Sequence, residues 1–173
     1  MVSLDAKDYK KQPLMVPVDF SRHSMAALEF ALNLAKDTHR EVAILHVVHD
    51  PEQAPGYYQD QAKDGVLTMD DVAANMCEAF LAEAKEAMPH FDNTLVKTIL
   101  VAGSPSKRIL EVAEKIDAYM IIMGSHGRRG IEGLFIASKT LKVSKRSGRP
   151  VTIVKAPEVQ AHIEAELKKK GKL

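Results

Sequence analysis

Five short apolar runs separated by helix-periodic stretches predict an α/β protein: a three-layer α/β/α sandwich around a five-stranded parallel sheet. The runs are continuous rather than alternating, the pattern of strands buried on both faces. Each is followed by enough chain for a crossover helix, which in such sheets is right-handed. The length of 173 residues suits one domain.

The elements follow in order. Leu14 to Val18 is the first run, and Ala27, Leu28, Ala31, Leu32 and Ala35 then share one helical face, with Ser21 or Ser24 as N-cap. Val42 to Val48 is the second strand. Residues 50–67, with Pro51, Pro55, Gly56 and Gly65, read as an irregular connection. Thr68 and Asp71 resemble a capping box for a long helix that stops before Pro89. Leu95 to Val101 reads as the third strand. Ser104-Pro105 opens a helix whose face carries Ile109, Leu110, Val112, Ala113 and Ile116. Tyr119 to Met123 is the fourth strand, Ser138 to Ser147 a short basic helix ended by Gly148, and Val151 to Val154 the fifth strand. After Pro157, Val159, Ile163 and Leu167 make a narrow stripe for one more helix.

Composition excludes several classes. Twenty-four cationic and 23 acidic side chains leave a formal charge of +1, so no global bias points to nucleic acid or an anionic membrane. No apolar run of about 18 residues predicts a membrane span. Trp is absent and aromatics make up 5%, which argues against single-strand stacking platforms. Cys77, the single cysteine, rules out an internal disulfide, and its helical setting suggests a small buried residue. With no secretory signal evident, the cytoplasm is the expected compartment. His46 and His49 are three apart on a strand and face opposite sides, so they cannot share a metal.

Ligands of parallel sheets sit beyond the carboxyl ends of the strands, where strand order reverses. The ends of strands one and four are therefore the places to search. After strand four, Gly124, Gly127, Gly130 and Gly133 stand in ten residues between a strand and a helix, freeing backbone N–H groups to approach an anion. The helix N-terminus adds Ser138, Thr140 and its dipole. From Arg128 to Arg149 seven basic residues face Glu132 alone, a balance of +6, whereas residues 50–71 carry six acids and one lysine, or −5. A flexible turn followed by a solvated basic helix face has the same composition. The spacing is not the dinucleotide GxGxxG, and Gly133 to Thr140 misses the P-loop pattern because Ser138 stands at its second glycine.

Three stretches together resemble the universal stress protein family over residues 12–156: Val16-Pro17-Val18-Asp19-Phe20-Ser21, Ile44-Leu45-His46-Val47-Val48, and Ile121-Ile122-Met123-Gly124-Ser125-His126-Gly127-Arg128. Arg149-Pro150-Val151-Thr152-Ile153-Val154 is also similar. The resemblance implies an adenine nucleotide α-hydrolase-like fold. A polar extension (residues 1–11) would precede the domain and a helical tail (157–173) would follow it. Nucleotide-binding members carry G-2x-G-9x-G-[ST]; Gly124 and Gly127 match it, nine residues follow, and Ala137-Ser138 replaces Gly-Ser. The site so implied comprises Pro17, Val18, Asp19, Val47, Met123, Gly124, His126, Gly127, Arg128, Ala137, Ser138, Lys139 and Thr140. In it Asp19 would accept from the adenine amine, Val18 and Val47 would pack nearby, and Ser138 and Thr140 would meet the phosphates. Asp19 is equally placed to act as a charge or cap for the first helix.

The implied ligand is ATP or another adenine nucleotide, with or without Mg2+. The implied assembly is a homodimer through Val151 to Val154, which would also shield an exposed strand edge. The resemblance implies a nucleotide-binding regulator of a stress response; a slow ATP hydrolase is a further reading, for which no general base or dedicated metal carboxylate is evident. A dimeric interaction module of the same fold that binds no nucleotide is the alternative.

Overall fold

A computed structural model describes residues 5–48, 57–59, 66–88, 91–126 and 138–169. Its centre is a five-stranded parallel sheet built from β1 (Leu14–Val18), β2 (Val42–Val48), β5 (Val96–Ala102), β6 (Met120–Gly124) and β7 (Val151–Val154). Their order is β5-β2-β1-β6-β7, so the chain builds outward from β1 in one direction and then returns to build in the other. The reversal lies between β1 and β6. β3 (Tyr57–Gln59) and β4 (Val66–Thr68) form a separate antiparallel pair with Tyr57 opposite Thr68. This hairpin falls in the stretch expected to be irregular. Its strands are three residues each, too short for a period-2 pattern to emerge from the surrounding prolines, glycines and acids.

Alternation along each strand divides the core into two layers. Leu14, Val16 and Val18 of β1, with Val42 and Ile44 of β2, pack against Ala27, Leu28, Ala31, Leu32 and Ala35 of α1 (Arg22–Thr38) and against Phe80 and Ala84 of α2 (Met69–Ala87). Met15, Ala43, Leu45, Val47, Ile121 and Met123 face Ile109, Val112 and Ala113 of α3 (Pro105–Lys115), Ile116 at its C-cap, and Val143 of α4 (Ser138–Arg146). The apolar faces read from the sequence are thus those that are buried. Burying one Leu or Ile side chain is worth roughly 1.5–3 kcal/mol, so these two layers dominate the fold's stability. A last helix, α5 (Pro157–Lys169), is tied to α1 where Arg22 Nε meets Glu158 Oε1 at 2.7 Å. Among the described residues, no helix is long and apolar enough to cross a membrane.

Cys77 lies buried in α2, where desolvation raises its pKa to about 11. Arg149, just before β7, bonds Glu114 (2.8 Å), Asp117 (2.6 Å) and the Ala118 carbonyl (3.4 Å). One guanidinium therefore fixes the end of α3 to the entry of β7.

The approach of α1 to β6 is set by a missing side chain. A Cβ built on Gly124 would lie 2.6 Å from the His23 carbonyl oxygen and 2.7 Å from its carbon. Backbone cannot yield as a flexible side chain does, so any larger residue must push the start of α1 off the sheet. Gly124→Ala is expected to destabilise the protein by about 1–3 kcal/mol, the usual range for overpacking. Urea unfolding measures it.

Candidate functional site

Beyond β1 the chain turns sharply into α1. Phe20 adopts a left-handed backbone, φ 62°, which costs a residue of this type about 1–2 kcal/mol. Its ring is held by two others: His46 with centroids 4.3 Å away and Phe80 at 5.6 Å. His46 is fixed in turn, because its Nδ1 lies 2.9 Å from the Val18 carbonyl, an acceptor that requires the proton on that nitrogen. Strain of this kind, over-determined by its surroundings, is typical of functional turns.

The turn is braced by Asp19. Its Oδ1 accepts from the Ser21 hydroxyl at 2.6 Å and from the Ser21 N–H at 3.2 Å. Ser21 caps α1: its Oγ accepts from the Ser24 N–H at 3.3 Å, and Ser24 Oγ accepts back from the Ser21 N–H at 3.1 Å. Both serines anticipated as caps therefore act together, and the carboxylate holds the cap in place.

Across the reversal point, β1 and β6 are in register at only two pairs, Leu14 with Met120 and Met15 with Ile121. Toward their carboxyl ends the β1–β6 register stops, and residues of both strands' exits gather there. Ser125 is buried at 1% exposure, with its N–H donated to the Val154 carbonyl at 2.9 Å. Its Oγ and His126 Nδ1 are in hydrogen-bond contact at 3.0 Å. The His126 ring lies 5.2 Å from that of His23 in the first turn of α1. From the far side, Thr140 in the first turn of α4 donates its hydroxyl to the Gly124 carbonyl at 3.1 Å.

The residues implied by the sequence thus sort as follows. Asp19, Gly124, His126 and the α4 N-terminus with Ser138, Lys139 and Thr140 converge on the reversal point. Ser138 and Lys139 are exposed, whereas Thr140 is 3% exposed and its one hydroxyl hydrogen is committed to Gly124. Val47 and Met123 share the layer under α3 and α4, while Val18 packs in the opposite layer under α1. Pro17 is half-buried beside Val18. Gly127, Arg128 and Ala137 lie outside the described residues. Among the described residues no group of three or more His, Cys, Asp or Glu could hold a metal ion.

Sequence reasoning did not single out His23; Phe20 and His46 stood only within family-like stretches, and His46 was set aside as a metal ligand. No motif marks His23, a histidine in the first turn of α1 whose ring neighbours that of His126. It is 7% exposed, and its Nδ1 is buried with no hydrogen-bond partner. Burial first, and then the neighbouring His126, hold its pKa below the ordinary imidazole value of 6.5. A base whose folded pKa is lowered binds fewer protons in the folded than in the unfolded state below 6.5, so its contribution is intact above that pH and lost as pH falls toward the folded pKa. The melting temperature of the wild type is therefore expected to fall as pH drops below 6.5 more steeply than that of His23→Gln, which thermal melts across pH 5–8 would compare.

Comparison with known proteins agrees with this architecture. The profile of the Universal stress protein family matches residues 11–155. Universal stress protein MJ0577 of Methanocaldococcus jannaschii is 29% identical over 163 residues, covering 85% of this chain and 95% of its own. The solved universal stress protein UspA from Lactobacillus plantarum superposes with a TM-score of 0.56 at 25% identity, covering 83% of this chain and 97% of that one. A universal stress protein solved in complex with cAMP shares the fold with a TM-score of 0.59 at 22% identity, over 86% of this chain and 98% of that one. With a family match spanning nearly all of the sheet and its helices, the chain belongs to the universal stress protein family.

Proposed function

We propose that this protein binds an adenine nucleotide, ATP or a close relative, at the reversal point and acts as a nucleotide-dependent regulator of stress response. One observation carries the reading. Asp19, the Gly124–His126 segment and the first turn of α4 meet where strand order reverses, the place at which parallel sheets hold ligands. Gly124 and Gly127 keep the spacing of nucleotide-binding relatives, and the cAMP complex shows that another protein of this fold takes an adenine nucleotide.

In this reading the Asp19 carboxylate accepts from the exocyclic amine of adenine, while the glycine-rich segment and the N–H groups of α4 receive the phosphates. Lys139, exposed in that turn, and Arg128 supply charge. Mg2+, where it accompanies ATP, is held by phosphate oxygens and water, its usual partners. The same reading pairs two copies through the open edge of β7, whose four residues are all half-buried in the single chain.

The alternative, a dimeric interaction module without nucleotide, draws on two features. Thr140 has spent its hydroxyl hydrogen on Gly124, and Ala137 replaces the glycine of nucleotide-binding relatives. A denaturing extract of the purified protein, read by mass spectrometry, separates the two: retained adenine nucleotide supports the first, and its absence together with no ATP uptake in calorimetry supports the second.

Because Asp19 also braces Ser21, alanine there would confuse binding with folding. Asp19→Asn keeps an acceptor oxygen for Ser21 but presents an amide donor in place of the second oxygen. Loss of one charge-assisted bond is worth roughly 1.5–3 kcal/mol, so ATP affinity is expected to fall about tenfold or more while the melting temperature stays close to wild type. Calorimetric titration and a thermal melt of the same sample check both halves.

A further inference from the structure

At the other end of the sheet, an open cleft of about 360 Å³ lies between the last turn of α1, the start of β2 and the residues before β5. Lys10, Lys11, Lys36, His39 and Arg40 line it, and Glu41 is the single carboxylate among the lining residues. Glu41 does little to neutralise them. Its Oε1 is paired with Lys97 Nζ at 3.0 Å and its Oε2 accepts the Lys10 N–H at 2.9 Å. Among the described residues, none of the five cationic or titratable side chains has a carboxylate within ion-pairing distance.

Cations at the carboxyl end of a helix are favoured by its dipole, which accounts for Lys36 and Arg40. It does not account for Lys10 and Lys11, which arrive from the segment ahead of β1 and add to the same concave surface. Like charges gathered this way repel one another, so the arrangement is stabilised by an anion that enters among them. Arg40 is already positioned: its guanidinium lies 3.9 Å over the Tyr119 ring, and its Nη1 donates to the Gln12 carbonyl at 2.7 Å. Its Nε is buried with no hydrogen-bond partner.

We propose that this cleft is a second anion site, which takes a short chain of linked phosphates. The volume suits a small ligand rather than a macromolecule. Lysine ammonium groups act as point charges that suit several phosphate oxygens at once, whereas a single carboxylate would leave most of them unmatched. Phe, Tyr and Trp are absent from the lining, so a nucleobase finds no stacking platform there, which favours free inorganic polyphosphate over the tail of a nucleotide. The five residues of β1, at roughly 3.3 Å each, place the cleft about 15 Å from the reversal point, so the two sites are separate.

The test uses the whole chain, 15N-labelled, at low ionic strength. Inorganic tripolyphosphate is expected to shift the backbone amides of Lys10, Lys11, Lys36 and His39 to saturation, and screening at ~0.15 M salt to weaken the response. Lys11 and Lys36 are exposed, and among the described residues no ion pair engages their side chains. The double variant Lys11→Gln, Lys36→Gln should therefore melt like the wild type while binding tripolyphosphate about tenfold or more weakly. Parallel titration with ATP distinguishes the source: shifts of the same four amides assign the site to a nucleotide's phosphate tail, and shifts confined to Gly124–His126 assign it to free polyphosphate. Tripolyphosphate shifts confined to Gly124–His126 would overturn the proposal. So would equal affinity in the double variant, or an orthophosphate response as strong as that to tripolyphosphate.

Discussion

The close seating of the first helix on the end of β6 is the constraint from which the rest of the site follows. Gly124 has no side chain to hold the His23 carbonyl away, so backbone meets backbone at van der Waals distance. That contact brings the capped start of α1, with its Asp19 brace, to the exit of β6. It also places His23 beside His126 and leaves Thr140 close enough to bond the same glycine's carbonyl. Three chain segments distant in sequence are thus locked around one residue. A backbone group that serves as floor, spacer and acceptor cannot be replaced by a side chain performing one of those tasks.

Much of this was legible in the sequence. β1, β2 and β7 begin and end where their apolar runs do: β1 and β2 are buried along nearly their whole length, and half-buried β7 is bounded by Pro150 and the exposed Lys155. β5 and β6 are each displaced by one residue toward the carboxyl end, since Leu95 belongs to a short 3-10 turn and Gly124 still pairs with Val154. The hairpin of β3 and β4 was hidden because strands of three residues are too short to show a period-2 pattern. Within the site, Gly124 could be named from the glycine spacing and Asp19 from the family resemblance, whereas the left-handed turn at Phe20 could not be named from either. Phe is among the residues least suited to that conformation, and the rings of His46 and Phe80 pack against it there.

Charge is arranged in the same economical way. The ends of the sheet are both rich in cations, yet for different physical reasons. At the reversal point Lys139 stands in the first turn of α4, at its dipole's positive end, a placement unfavourable without an anion, whereas Lys145 and Arg146 lie in the last turn, where the dipole favours them. At the amino ends of the strands, Glu41 joins the N-terminal segment to β5 through Lys10 and Lys97, which leaves the surrounding lysines without a carboxylate of their own. Neither concentration is visible in the overall charge of +1.

The burial of Cys77 gives the fold a built-in clock. A thiol whose pKa is raised to about 11 has almost no thiolate at neutral pH, and it is enclosed besides, so a thiol reagent added to the native protein must wait for α2 to come away from the sheet. With no other cysteine in the chain to compete, the rate of modification reports the opening of one helix alone. The same enclosure makes this thiol a poor target for oxidants in the folded protein.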